Sequence, residues 1–408
     1  MRILFLSDNF PPEHNAPATR TYEHCKEWVK QGAKVTVITC VPNFPRGKIF
    51  NGYKNKIKQT EWIDGIKVIR VWSFISPNSG IFKRSLDFVS YAITSFLFGL
   101  CIKCDIIVAT SPQFFTAVSG CALGFVKQKK WVMEVRDIWP ESIKAVDAVK
   151  ANWVIKFLEK IELFLYRSAA KIVVVTDSFK ENIVSRGIDE EKIVVIKNGV
   201  DVSILKPQPK DSHLVDQLNL KNKFVVGYVG THGLAHGLDF IIESIKTLND
   251  DSIQFIFIGD GAEKQNLVFL AQKLNLTNLC FIDSVPKEKI GNYLSILDVA
   301  LVPLKKSDTF QSVIPSKIFE TVAKGIPILL GVDGETRRII ETYDAGLFFE
   351  PENEIDFLTK LQLIRKQILE NKNRFTKGCQ HMANDFDRIK LARHMLSHLS
   401  TTSQFIKE

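Results

Sequence analysis

The sequence predicts an α/β protein of two Rossmann-like, doubly wound domains facing across a cleft, and three observations predict it. Short runs rich in Val and Ile recur along the chain with little polar alternation, as in parallel strands buried on both faces. Stretches of helical period lie between them. The rhythm pauses at 201–223, where Pro207 and Pro209 stand among polar residues with no long apolar run. The implied division is a first domain over 1–200, a linker over 201–223, a second domain over 224–380, and a closing helix over 381–408 free to pack back on the first domain.

In the first domain strands are expected at 2–7, 34–39, 105–110, 131–136, 171–176 and 192–196. Helices are expected at 19–31, 83–103, 113–127, 153–168 and 178–185. Residues 61–71, with Asp64-Gly65 at the centre, read as a hairpin. The second domain repeats the pattern, with strands at 224–229, 253–258, 279–282, 299–303, 327–330 and 347–349. Its helices are expected at 237–248, 263–274, 286–297, 316–323, 334–342 and 352–370. Ligands of such sheets bind beyond the carboxyl ends of the strands, so the strand-to-helix loops are the places to search.

The 408 residues are 45% hydrophobic and 24% charged, the balance of a folded globular protein, which excludes a disordered chain, a collagen-like fibre and a polytopic membrane protein. Met1-Arg2 leads straight into a short apolar run, so no signal peptide is read, and seven cysteines suit a reducing cytoplasm better than a disulfide scaffold. The net charge is +9, yet residues 1–130 hold 18 Lys and Arg against 8 Asp and Glu. A one-sided basic half points to an anionic partner. No nucleic-acid-binding motif is recognised, which argues against nucleic acid. Arg46, Lys48, Lys54, Lys56 and Lys58 surround Phe44, Phe50 and Tyr53, and Lys83-Arg84 precede the apolar stretch 88–102. That stretch is shorter than the ~20 residues a bilayer span needs. Docking on an anionic membrane surface and a solvated basic face both fit this pattern.

Several loops carry residues suited to chemistry. The loop after the first strand holds three prolines with Glu13, His14 and Arg20, read as polar contacts for an acceptor or as an irregular stiffened turn. Strand 131–136 runs into Arg136-Asp137-Ile138-Trp139-Pro140-Glu141-Ser142. A charge pair there is either an ion pair holding the loop or part of a site, with Glu141 beside it. After strand 224–229 come Gly230, Thr231 and His236, and after the next strand Gly259-Asp260-Gly261, both suited to close approach of a phosphate or nucleoside. The fullest cluster runs from Pro315 to Pro327. Ser316 can cap a helix with Lys317 in its first turn and Glu320 three residues on. A cation beside a helix start calls for an anion, and a carboxylate one turn deeper can accept from the vicinal hydroxyls of a ribose. An ordinary salt bridge is the plainer alternative. Asp385-Phe386-Asp387 is expected to open a helix, and Cys101 and Cys104 to be buried thiols.

Ser-Lys-x-x-Glu-x-x-Ala-x-Gly-x-Pro at 316–327, Gly-Asp-Gly at 259–261 and Pro-Pro-Glu at 11–13 together resemble a GT-B-fold glycosyltransferase of family 4. The run from Arg136 to Ser142 further resembles a bacterial subgroup that builds O-antigen and capsule repeats with N-acetyl-L-fucosamine-type sugars. The resemblance implies retaining transfer from a UDP-sugar, with no cofactor and no essential metal, to a polyprenyl-diphosphate-linked saccharide. Gly230, Thr231, His236, Gly259, Gly261, Ser316, Lys317 and Glu320 would hold the nucleotide-sugar. Asp137, Lys317 and Arg136 would serve catalysis. The setting is the cytoplasm, at the inner membrane face. Two departures stand out: Ser312 occupies the first position of the family's Glu-x7-Glu, and Thr231 and His236 stand where an Arg and a Lys are usual. The alternatives are a UDP-sugar 2-epimerase of the same fold and a non-catalytic protein that binds sugar nucleotides or nucleic acid.

Overall fold

The computed structural model describes residues 1–13, 15–44, 46–75, 81–111, 113–139 and 152–404. The chain divides into two compact units, Met1–Lys197 with Arg388–Glu408, and Asn198–Asp387.

The first unit is built on a sheet of eight strands: β1 (Arg2–Leu6), β2 (Lys34–Thr39), β3 (Lys58–Ile63), β4 (Ile66–Val71), β5 (Ile106–Thr110), β6 (Lys130–Val135), β7 (Lys171–Val174) and β8 (Ile193–Val195). Their order is β3-β4-β2-β1-β5-β6-β7-β8, parallel except for the edge strand β3. Asp64 and Gly65, at φ 46° and 79°, turn β3 into β4 with the left-handed backbone a two-residue hairpin requires. Strand β1 shows why alternation is missing: Ile3 and Phe5 enter one core while Leu4 and Leu6 enter the other. On the latter side lie α2 (Ile81–Leu100), α3 (Phe114–Lys127), α4 (Asn152–Ser168) and α5 (Asp177–Ser185). On the former lie α1 (Ala16–Lys30) and the C-terminal helix Arg388–Gln404. These two are tied by Trp28 Nε1 donating to the Ala392 carbonyl at 2.8 Å, by Arg393 on Glu27 at 2.7 Å, and by an Arg388–Glu23 pair.

The second unit has six parallel strands in the order β11-β10-β9-β12-β13-β14. They are β9 (Phe224–Val229), β10 (Ile253–Ile258), β11 (Leu279–Ile282), β12 (Val299–Pro303), β13 (Ile328–Gly331) and β14 (Gly346–Phe348). The helices are α6 (Ser212–Gln217), α7 (Leu238–Leu248), α8 (Lys264–Lys273), α9 (Lys287–Ser295), α10 (Lys317–Ala323), α11 (Glu335–Tyr343), α12 (Glu354–Glu370) and α13 (Thr376–Asp385). Strand β9 pairs with both β10 and β12, so the order reverses there and a crevice opens past its carboxyl end.

Three details differ from the sequence reading. Residues 201–223 are integrated into the second unit and carry α6, because Leu214 and Leu220 are apolar enough to bury beside Leu297 and Ile326. Asp385-Phe386-Asp387 joins two helices where one was expected: α13 ends at Asp385, and the C-terminal helix opens at Arg388 directly after Asp387, while Phe386 packs 4.9 Å from Phe319 and Asp385 accepts a 2.8 Å bond from the Tyr343 hydroxyl. Cys104 is buried, but Cys101 is exposed just past the end of α2. Among the described residues no helix is long and apolar enough to cross a membrane.

Candidate functional site

The second unit's switch point is shaped by two strand exits lying against each other. Gly230 N donates to the Ile258 carbonyl and His232 N to the Asp260 carbonyl, both at 2.9 Å. A Cβ on Gly259 would fall 1.9 Å from the Gly230 oxygen, and one on Gly261 would fall 2.3 Å from the His232 oxygen. These two glycines therefore permit backbone-to-backbone packing; the close approach they allow is to the neighbouring loop. Gly230 plays a different part. A Cβ there would come 2.8 Å from Lys317 Nζ, so its absence leaves room for the amine.

Lys317 begins α10. Ser316 before it is exposed and makes no side-chain cap, because its own backbone is already helical at φ −59°, ψ −23°. Lys317 Nζ is buried, without a hydrogen-bond partner, 4.0 Å over the Tyr228 ring. A ring face attracts a cation but supplies no lone pair. Burial pulls the amine down to about 7, with Glu320 acting weakly in the opposite direction. Tyr228 is itself fixed by donating to the Thr231 carbonyl at 2.6 Å, while the Thr231 residue is exposed. His236 closes the 3-10 turn Leu234–His236, and its Nδ1 is buried without a partner. Burial, then Lys317, lower it to about 4. His232, enclosed by Tyr228, Phe257 and Phe281, is lowered to about 4 mainly by burial. Both imidazoles are thus neutral near pH 7, whereas the Lys317 amine beside Gly230 changes charge near that pH.

Gly230, Thr231, His236, Ser316, Lys317 and Glu320 line one cavity of about 320 Å³ past β9 and β12. Gly259 and Gly261 support it from behind. Ser312 lies in the 3-10 turn Asp308–Ser312, its hydroxyl bonded to the Thr309 carbonyl at 3.2 Å. Sequence reasoning missed Tyr228 and His232; the available signal was an aromatic two residues before a strand-exit glycine, hence on that glycine's face of the strand.

In the first unit, Glu13 and Arg20 are buried and internally bonded, not offered to a ligand. Glu13 Oε1 accepts from the Asn43 and Phe44 amides at 2.8 Å, and Oε2 accepts from the Phe10 amide at 3.3 Å. Burial raises its pKa against those bonds. Arg20 Nε donates to Glu134 Oε1 at 2.9 Å, and its other nitrogens donate to the carbonyls of Lys197 and Ile196 at 2.8 Å. A charge leaves water only when so satisfied, which is why both became scaffold. Arg136 and Asp137 follow β6 at its carboxyl end. The Arg136 amide donates to Ser111 Oγ at 2.8 Å, its Nε and Nη1 are buried without a partner, and burial lowers it to about 10. Asp137 is half-buried. Two further carboxylates escaped the sequence reading: Asp8, past β1, is raised well above its ordinary value by burial, and Asp87 is raised to about 6 for the same reason. His14 and Glu141 lie outside the described residues. Among the described residues no three His, Cys, Asp or Glu side chains come together as metal ligands.

Residues 210–381 match the family model Glycosyl transferases group 1, and residues 17–204 match Glycosyltransferase Family 4. The chain thus carries both domains of a GT-B glycosyltransferase. It is 24% identical over 367 residues to WcaI of Escherichia coli (strain K12), a glycosyl transferase assigned to colanic acid biosynthesis, covering 86% of this chain and 89% of that one. It is 27% identical over 238 residues to WbjE of Pseudomonas aeruginosa, assigned as a glycosyltransferase, covering 57% and 58%. The fold matches that of the Anabaena protein HepE, solved in complex with UDP and glucose, with a TM-score of 0.71 at 17% identity over 98% and 99% of the two chains.

Two outcomes test these assignments. Arg20→Ala strands the buried Glu134 carboxylate and should cost about 3–5 kcal/mol in denaturant unfolding; a cost near zero would return Arg20 to the surface. Folding lowers Lys317 from 10.5 to about 7, so between those values the unfolded chain binds more protons and stability rises with pH. The gain in melting temperature from Lys317→Met should therefore be largest below about pH 7 and shrink on going alkaline. A gain independent of pH would mean the amine is solvated.

Proposed function

We propose that the protein is a retaining, metal-independent glycosyltransferase that moves a sugar from a UDP-sugar to a lipid-linked saccharide in bacterial surface polysaccharide synthesis, at the inner face of the cell membrane. One observation carries the reading: the Lys317 amine, buried without an acceptor in the wall of the switch-point cavity. Such an amine is costly alone and is stabilised by an anion with oxygens to share. A nucleoside diphosphate supplies them. Glu320, lining the same cavity, accepts from the ribose hydroxyls. The WcaI likeness supports polysaccharide synthesis and the HepE likeness supports UDP as the nucleotide. The resemblance of the run after β6 supports an N-acetyl-L-fucosamine-type sugar.

The chemistry follows from charge. As the bond from the anomeric carbon to the β-phosphate oxygen breaks, positive charge builds on the sugar and negative charge on the phosphate. A fixed cation in a water-poor cavity stabilises that change without reorganising. With Thr231 and His236 uncharged, Lys317 carries the neutralisation. Asp137, at the carboxyl end of β6, accepts a hydrogen bond from the acceptor hydroxyl, and Arg136 beside it offers unpaired donors to the acceptor's anionic or carbonyl oxygens.

Calorimetric titration tests the donor site. Glu320→Ala should weaken UDP by about 1.5–3 kcal/mol, the scale of hydrogen bonds to a charged group. Lys317→Ala should weaken UDP more than uridine, and wild-type binding above about pH 7 should take up a proton that this variant does not. Equal losses for UDP and uridine would move Lys317 away from the phosphates. Asp137→Asn should keep UDP affinity and lose most transfer; a fully active variant would remove Asp137 from the reaction.

A further inference from the structure

The first unit's two helix layers differ in what they show to solvent. Among the described residues of α1 and Arg388–Gln404, no large hydrophobic side chain is exposed. The layer of α2, α3 and α4 is the reverse. Leu86, Val89, Ile93, Leu97 and Leu100 are exposed along α2 at steps of three and four, which is one continuous stripe. Phe125 at the end of α3 is 86% exposed, and Trp153, Phe157 and Phe164 continue the pattern on α4. The inward sides of these helices are already used, by Tyr91, Ala117, Leu123 and Leu165 in the core. Exposed apolar area on this scale marks a contact surface.

Between α3 and α4 the layer opens into a groove of about 840 Å³. Val118, Ala122 and Phe125 form one wall, and Ile161, Phe164 and Leu165 the other. Lys129, Lys130 and Lys192 are also in its lining, and among the described residues no carboxylate is. Trp131, only 4% exposed, lies in the groove's lining with Nε1 buried and lacking an acceptor. Its Cδ1 edge sits 3.1 Å from where Gly124 would carry a Cβ, so residue 124 sets no side chain against that edge of the indole. An apolar trough, three lysines in its lining and an orphaned donor are together the recognition pattern of an amphiphile with an anionic, oxygen-rich head. The groove lies at the amino end of β6, whereas Arg136 and Asp137 follow its carboxyl end. At about 3.3 Å per residue the two positions are roughly 20 Å apart.

We propose that the outer face of α2, α3 and α4 seats on an anionic phospholipid bilayer, and that the α3–α4 groove takes in an acyl chain of one such lipid. Its phosphate meets Lys129 and Lys130, and an ester oxygen gives Trp131 Nε1 its acceptor. This rests on the membrane setting proposed above, and it commits to the helix layer in place of the basic segment 46–58. The face-on stripe supplies adhesion and the groove supplies lipid selectivity.

The full chain should be mixed with phosphatidylcholine vesicles containing phosphatidylglycerol that bears a photoactivatable acyl chain, irradiated, and mapped by mass spectrometry. Label is expected in peptides from 114–127 and 152–168. Ala122→Trp, which fills the groove, should cut that label about tenfold while co-sedimentation persists. Lys129→Gln with Lys130→Gln should lower vesicle affinity roughly tenfold or more at low salt. Label confined to 46–58 or to α2, groove label insensitive to Ala122→Trp, or no binding to anionic vesicles at low ionic strength would each overturn the proposal. So would sedimentation velocity showing a dimer that Ala122→Trp dissociates, which would make a second copy the occupant. UDP titration of the same variants reads the donor site separately: unchanged UDP affinity with failed labelling discards the lipid groove alone.

Discussion

A contact between two backbones sets the geometry of the second unit's site. Without side chains at Gly259 and Gly261, the exit of β10 can press on residues 230–232. That contact fixes the exit of β9, and with it the place of Gly230. The space above Gly230 then accepts the Lys317 amine, which rests on Tyr228, which in turn is held by the Thr231 carbonyl. Each step is a consequence of the one before. The cation is held by shape and by a ring, with no oxygen bound to it, so its affinity for an anion has not been spent on the protein.

The carboxyl edge of the first unit handles charge in the opposite manner. Glu13 closes one loop onto another through three amides, and Arg20 joins α1 to β6 and to the chain after β8. Buried charged groups held by several hydrogen bonds at once are rigid supports. Asp8 and Asp87 are the unsettled members of this edge: each has an oxygen with no partner, and burial favours their protonated forms. Rigid charges around a few under-satisfied ones are what a binding surface needs if it is to hold its form before the ligand arrives.

The strands were legible because burial on both faces removes polar residues from them, and that absence is visible without coordinates. The Asp64-Gly65 hairpin was legible because its turn demands left-handed backbone at both central positions. Lys317 and Glu320 were legible from spacing on a helix. What could not be read was which polar residues are turned inward. Arg20 and Glu134 are 114 positions apart, and nothing local to either signals the other. What packs against Gly259 was hidden for a related reason: a missing side chain announces a close approach but not by whom. Residues 201–223 passed for a linker because two leucines make little impression on a polar stretch, although in space they complete a core.

The helix Arg388–Gln404 has a consequence for the life of the chain before any substrate is met. It belongs to the first unit, where it receives the Trp28 indole hydrogen and faces Glu23 and Glu27, yet in sequence it follows the whole of the second unit. Synthesis runs from the N-terminus, and units fold as their residues emerge. Residues 198–387 can be complete while the C-terminal helix is still inside the ribosome. The half of the protein made first is therefore the half finished last, with an apolar flank of Phe5, Trp28 and Val35 waiting for its cover. A nascent-chain chaperone would have most to hold there, and loss of residues 388–404 would damage the fold at its beginning.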